Sequence, residues 1–395
     1  MSPFDPPPLA AHLLASPLLF VLRPLHALLL NLRPAPCTRT PSQRPIRVVC
    51  ISDTHDHHLP SVPDGDLLIH AGDLTNSGTR ADIQLAVDWL KTLPHAQKVV
   101  VAGNHDGWLD TGVRGFISSC NAEDGTGDGD AQAIDWGSIH YLQNSSLTLT
   151  FPSPASADSG RSSHSTTSAD APSRTLTIHG APQIPQLDPS PDSVHAFQYP
   201  PSLDPTTTTT AAAATSGISD FHAYPYPIPI PHNTDILVTH TPPAYHLDNY
   251  PYSVGCPFVL RAIWRVRPLL HVCGHVHVGR GVDRAYYDRV QEAWEALCAV
   301  RSEQGLLWER GSGIGSFVRG GGWWRDLCGV GGVWAMAWRV VWEGLKAVVV
   351  GRLWGSVGEG GRAMGLGLGR EGWIVNAACL DGSGKVLRGA TVIKI

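Results

Sequence analysis

One set of side chains in this sequence has the types and the placement to hold a metal ion and move a proton beside it. It comprises Asp53 and His55, Asp73, Asn104 with His105 and Asp106, His240, and His275 with His277. These are carboxylates, imidazoles and one amide with no thiolate among them. Such donors suit Mn, Fe, Zn or Mg and argue against a cysteine-built structural zinc site. A histidine taken alone is more often a satisfied core or surface group, and Gly103-Asn104-His105-Asp106 taken alone reads equally as a polar turn. What separates these residues from that reading is their common position: each group stands at the end of a short apolar run.

Those runs must position them. Arg47-Val48-Val49-Cys50-Ile51, Leu67-Leu68-Ile69-His70, the stretch Val99-Val100-Val101, Asp235-Ile236-Leu237-Val238-Thr239 and Leu269-Leu270-His271-Val272-Cys273 are continuous rather than alternating. Such runs predict strands buried on both faces. Thr79 with Asp82 makes a capping-box start, and Ile83, Ala86, Val87 and Leu90 share a helical face until Pro94. A second helix is expected from about Phe258 to Val266, closed by Pro268. Further strands are expected over 138–142, 147–151, 175–180, 373–378 and 390–394. Strand, loop, helix, strand is the order of an α/β protein, in which strand carboxyl ends converge on one crevice.

The order Asp53-x-His55, Gly72-Asp73, Gly103-Asn104-His105-Asp106, His240 and Gly274-His275-x-His277 resembles the calcineurin-like metallophosphoesterase superfamily, with all five signature blocks present. Three stretches are similar to one branch, the metallophosphoesterase-domain-containing proteins described as cyclic-nucleotide phosphodiesterases. They are Asp66 to Thr75, Asp235 to Pro243, and Arg265-Val266-Arg267-Pro268 ahead of His271. The resemblance covers roughly Ile46 to Val282 and the last two strands. It implies a four-layer α/β fold, with central mixed β-sheets flanked by helices. It implies two divalent metal ions, one on Asp53, His55, Asp73 and His277, the other on Asp73, Asn104, His240 and His275, with Asp73 bridging. His105 would protonate the leaving group and Asp106 would orient it. Some members of the branch lack the first histidine of the last block; His275 is present here, which implies a full second site.

The chemistry agrees with that assignment. A phosphate ester is anionic and resists nucleophiles, and two cations about 3.5 to 4 Å apart neutralise it and acidify a bridging water. The expected reaction is hydrolysis by metal-bridged hydroxide attack, with a phosphodiester such as a cyclic nucleotide as the substrate class. The alternatives are a phosphomonoesterase, including a phosphoprotein phosphatase, and a membrane-associated scaffold that keeps the metal site for structure. A structural site has no use for His105, the non-ligand beside Asn104.

The rest of the 395-residue chain frames this site. A hydrophobic content of 43% supports a sizeable core, and a net charge of -5 without any Lys/Arg-rich run excludes a nucleic acid polymer as partner. The expected partner is a small phosphate ester. Eight scattered cysteines without CxxC spacing read as reduced thiols of an intracellular protein, with a cytoplasmic location expected. Residues 1–45 read as a Pro-rich and apolar extension, expected to be poorly ordered, and 46–395 as the catalytic domain. That domain is interrupted by low-complexity loops at 111–133, 152–173 and 202–219 and by a Trp-rich insertion at 283–372. Within the insertion Trp334, Trp338, Val341, Leu345 and Val348 share a helical face opposite Arg339, Glu343 and Lys346. The apolar segments at 9–32 and 333–354 make peripheral membrane contact an expectation.

Overall fold

The continuous apolar runs assemble into two sheets packed face to face. The structure, a computed structural model, describes residues 9–10, 13, 16–36, 38, 44–115, 133–152, 173–186, 195–199, 229–248, 253–303, 322–329, 332–354, 370–382 and 384–395. The expected loops at 152–173 and 202–219, and most of that at 111–133, lie outside the described residues. In the first sheet β1 (Arg47–Ile51), β2 (Leu67–Ala71), β3 (Gln97–Val101) and β4 (His140–Tyr141) are parallel, and β13 (Thr391–Lys394) closes the other edge antiparallel to β1. The second sheet has the order β11 (Gly281–Ala285), β12 (Gly372–Asn376), β10 (Leu270–Cys273), β9 (Ile236–Thr239), β6 (Arg174–Ala181) and β5 (Ser145–Phe151). Its four inner strands are parallel, and β5 and β11 are antiparallel edges. A two-residue parallel pair, β7 (Ile184–Pro185) with β8 (Gln198–Tyr199), stands apart from both.

Alternate residues of each buried strand serve different cores. Val48, Cys50, Ile69, Val99 and Val101 meet Ile178, Ile236, Val238, Leu270 and Val272 between the sheets. Val49, Ile51, Leu68 and Val100 face outward under Ile83, Val87 and Leu90 of α2 (Arg80–Thr92), which Thr79 caps as expected. Leu237 and Ile374 of the second sheet lie under Phe258, Val259 and Ile263 of α3 (Pro257–Val266). Helix, sheet, sheet, helix is the four-layer arrangement that the strands' two-faced burial requires.

The N-terminal segment and the insertion differ from expectation. Pro17–Leu32 forms α1, a helix continuous through Pro24 and packed on the insertion. The insertion supplies α4 (Arg289–Glu303), α5 (Gly322–Leu327) and α6 (Val333–Trp354). Leu19 and Leu22 share a core with Ala293, Trp294, Leu297, Val333, Ala337 and Val340. Asp326 accepts hydrogen bonds from Ser16 Oγ (2.7 Å) and Leu18 N (2.9 Å), and Arg33 pairs with Asp288 at 2.6 Å. The insertion itself starts later than 283, because Asp283 to Ala285 still pair in β11 with β12.

The buried face of α6 is not the one that carries Trp334 and Trp338. Val333, Ala337, Val340 and Val348 are buried, whereas Trp334, Trp338, Trp342, Leu345 and Val349 are exposed. The physical reason is the closeness of α1: a Cβ at Gly344 would stand 2.7 Å from Leu29 Cδ1, so this side admits small residues and not indoles. No helix among the described residues is long and apolar enough to cross a membrane.

His246 ties this helical layer to the second sheet. Its ring is buried between Asp283 of β11 (Nδ1 to Oδ2, 2.9 Å) and Glu295 of α4 (Nε2 to Oε1, 2.9 Å). Burial pulls the imidazole down, but the hydrogen bonds with Asp283 and Glu295 outweigh it and raise its pKa to about 10. Asp283 is lowered in return, against burial, chiefly by its hydrogen bond with His246. The contribution of His246 to stability is thus complete below its unfolded pKa of about 6.5 and is lost as the pH rises through about 10. That of Asp283 is present above about pH 4 and lost as the pH falls. His246→Gln is expected to cost about 3 kcal/mol or more near neutral pH, because it removes the positive charge held between the carboxylates of Asp283 and Glu295. In thermal melts the gap to the parent should narrow toward about pH 10; an undiminished gap there would contradict a charged imidazole.

Candidate functional site

Because β1, β2 and β3 are parallel, their carboxyl ends lie along one edge, and β9 and β10 bring theirs to the same edge of the second sheet. Asp53 N donates to Gly72 O (2.9 Å), His55 N to Asp73 O (3.1 Å) and Gly274 N to His240 O (2.8 Å), which locks the turns to one another. The two sheets are joined by His275 N, which donates to both carboxylate oxygens of Asp53 at 3.0 Å. Asp53, His55, Asp73 and His275 all adopt positive φ, between 44° and 64°. Side chains other than glycine pay on the order of 1–3 kcal/mol in that region, and such strain persists where surrounding structure fixes it. Gly103 permits the closest approach: a Cβ there would fall 2.2 Å from Asp73 N.

The result is a continuous set of donors. Ligand atoms of Asp53, His55 and His277 lie within 4.8 Å of one another, as do those of Asp73, His240 and His275, and of His55, Asp73 and His105. Asp73 sits at the junction. Its Oδ1 accepts His105 N at 2.9 Å, and its Oδ2 faces His240 Nε2 at 3.3 Å and His55 Nε2 at 3.7 Å. Asn104 Oδ1 is 3.0 Å from His240 Nε2, and His277 Nε2 is 3.2 Å from Asp53 Oδ1. All seven residues expected to hold metal therefore come together, with His105 beside them, its ring 5.0 Å from that of His55.

The electrostatics are those of a cation site. Burial opposes ionisation of Asp53, but the hydrogen bond from His277 and the charge of His240 leave it below the ordinary carboxylate range. Asp73 lies well below that range, because His240 in particular overcomes the same burial. Burial holds His55 down, against Asp73, and pushes His275 to about 3, so both rings offer lone pairs. The Nδ1 of His55 is buried with no hydrogen-bond partner among the described residues. Two ionised carboxylates, an amide oxygen and imidazoles clustered within bonding reach fit a hard or borderline divalent cation. His70 and His271, within the strands that lead to Asp73 and His275, are not in the set. Their Nε2 atoms meet Thr54 Oγ1 (2.9 Å) and Thr239 Oγ1 (2.8 Å), and burial pushes them to about 4 and about 3.

Asp106 differs from its expected role. Its carboxylate accepts from Gly103 N (2.8 Å), Leu74 N (3.2 Å), Thr75 N (3.1 Å) and Thr75 Oγ1 (3.2 Å), joining the β2 and β3 loops. Burial and then the charge of Asp73 raise it to about 7. The group that orients His105 is the Asn76 carbonyl, 3.1 Å from His105 Nδ1. Asp106 is too fully engaged with backbone amides to do so. Reading the sequence also missed His195, whose Nδ1 is 3.0 Å from Asn104 Nδ2 and whose ring stands edge-on to His105 at 5.5 Å. No apolar run precedes it, so nothing in the sequence marked it.

Carboxylates and histidines gathered at the strand ends of a four-layer α/β fold are the arrangement that the resemblance to the metallophosphoesterases implied. The calcineurin-like phosphoesterase family profile matches residues 46–279, more than half of this chain, and the chain belongs to that family. It is 38% identical over 254 residues to the Emericella nidulans protein named probable rhamnogalacturonate lyase C, covering 64% of this chain and 19% of that protein. It is 30% identical over 239 residues to the Caenorhabditis elegans UPF0046 protein K07C11.7, covering 60% of this chain and 65% of that one. Human metallophosphoesterase domain-containing protein 1 is also 30% identical, over 249 residues, 60% of this chain and 62% of its own. The chain thus spans less than two thirds of the length of each of these relatives.

Proposed function

We propose that the chain is a dinuclear phosphoesterase whose two divalent ions share Asp73. The observation that carries this reading is the placement of Asp73 Oδ2 between two histidines of separate donor groups, while Oδ1 is tied to the backbone. Asp53, His55, Asp73 and His277 would hold one ion, and Asp73, Asn104, His240 and His275 the other. Bound there, the cations supply charge neutralisation for the phosphoryl oxygens and an acidified water as nucleophile. The chain's own residues do the rest. Asp53 and Asp73 fix the anionic frame, with Asp53 spanning the sheets through His275 N. His105 gives its Nδ1 hydrogen to Asn76 O, which leaves Nε2 to carry a proton to the departing oxygen. Asp106 keeps the His105 loop against the Asp73 loop.

The substrate class is a phosphodiester, a cyclic nucleotide included, with a phosphomonoester as the competing choice. Purified protein should hydrolyse a bis-aryl phosphate faster than a mono-aryl phosphate, and only with added divalent metal. Turnover that survives both chelation and His240→Ala would remove the proposal, and a preference for the monoester would select the phosphomonoesterase.

A second reading concerns where this enzyme works. The exposed face Trp334, Trp338, Trp342, Leu345 and Val349 lies on α6 beside Arg339 and Lys346, which pair with Glu292 and Glu343, on a chain that carries -5 overall. Indoles at headgroup depth beside basic residues suit an anionic lipid surface. Flotation with phosphatidylserine vesicles is expected for the parent and not for Trp338→Ser with Trp342→Ser. Binding unaffected by the double change, or a dimer in place of vesicle binding, would contradict it.

A further inference from the structure

We propose that His195 is a positioning residue that sets which end of the Asn104 amide faces the metal. The inference rests on the reading of Asn104 as a ligand. The two ends of that amide are spoken for in opposite directions. Nδ2 meets His195 Nδ1 at 3.0 Å, and Oδ1 meets His240 Nε2 at 3.0 Å on the crevice side. An amide nitrogen has hydrogens and no available lone pair, so only Oδ1 can bind a cation. The Cβ–Cγ torsion of asparagine is soft and close to two-fold, and the side chain alone does not choose between its ends. With its ring hydrogen on Nε2, His195 offers a lone pair at Nδ1 that accepts from Nδ2, while Oδ1 stays toward His240; the reversed amide would set an oxygen against that lone pair and turn Nδ2 toward His240.

The loop that carries His195 is fastened to the loop it serves. Ala196 N donates to Asn104 O at 2.9 Å, and Phe197 N donates to Asp110 Oδ2 at 2.6 Å, so two consecutive amides grip both ends of the Asn104–Asp110 turn. Gln198 Nε2 returns to His195 O at 2.9 Å, and Ile184 N donates to Phe197 O at 3.0 Å. Ala196 and Phe197 are buried in the core beneath β1 to β3. Phe197 has φ of 58°, a conformation that a bulky aromatic residue rarely adopts and that costs on the order of 1–3 kcal/mol. The strain is held by bonds on either side, and it turns the chain so that His195 reaches the amide of Asn104. Groups that orient a ligand from behind typically change metal affinity by about 10- to 100-fold when removed.

The test compares three replacements by calorimetric titration of the metal-stripped full chain with Mn²⁺. The Oδ1 of an asparagine lies near the Nδ1 position of a histidine, whereas the polar end of a glutamine lies near Nε2. His195→Asn should therefore keep Mn²⁺ affinity within about threefold of the parent. His195→Ala and His195→Gln should weaken one of two sites by about 10- to 100-fold and leave the other unchanged. A merely structural role would not separate Asn from Gln, so equal weakening by the two overturns the inference, as does parental affinity in His195→Ala. A parent chain that takes up no Mn²⁺ overturns the metal reading itself, an outcome distinct from failure of the His195 role alone.

Discussion

Asp73→Asn is expected to lower turnover of a phosphodiester by about a thousandfold or more, equivalent to about 4 kcal/mol of transition-state stabilisation. The asparagine retains a carbonyl oxygen to accept His105 N, so the loop after β3 keeps its anchor. What it loses is the second anionic oxygen, the one that faces both His55 and His240. An amide NH₂ in that place is a donor set against other donors and cannot bridge two cations. Both metal positions should weaken together, which distinguishes Asp73 from Asp53, whose carboxylate meets the ring of His277 in the first donor group and reaches His275 of the second only through its backbone N. Steady-state rates alongside metal content provide the check. A loss below about tenfold, or the loss of a single ion, would show that Asp73 is not shared.

His105→Ala carries the next largest effect and a different signature. Metal content should be unchanged while turnover falls about a hundred- to ten-thousand-fold, the usual range for a positioned proton donor. The loss should be severe for an alkoxide leaving group, which cannot depart without a proton. It should shrink for a nitrophenolate, which is stable as the anion. His105 also stands within ligand distance of His55 and Asp73, so the metal measurement is essential. Loss of an ion in His105→Ala would make it a ligand, and an equal rate loss for both leaving groups would deny it the proton.

The site was legible in the sequence because parallel strands buried on both faces write themselves as continuous apolar runs, and their carboxyl ends share an edge. Val48 to Ile51, Leu67 to Ala71 and Val99 to Val101 each deliver donors to that edge. The four layers followed from the same runs. His195 was not legible, because its position depends on backbone bonds to Asn104 and Asp110 across about ninety residues of chain rather than on any local pattern. Asn76 acts through its carbonyl, an atom common to every residue type. The partnership of α1 with α4 and α6 was hidden for a related reason. An apolar stripe announces that a helix must be buried, and Leu19, Leu22 and Leu29 do so, but it does not name the surface that buries them. On α6 the indoles dominate the apolar count, yet the close approach at Gly344 decides which face turns inward.

The proposed site holds two cations on one set of strand-end donors that share Asp73. Equilibrium dialysis of the full chain against Mn²⁺, followed by elemental analysis, tests it most directly. Two ions per chain are expected in the parent, falling toward none in Asp73→Asn. No bound ion in the parent, or two ions retained in Asp73→Asn, would contradict it.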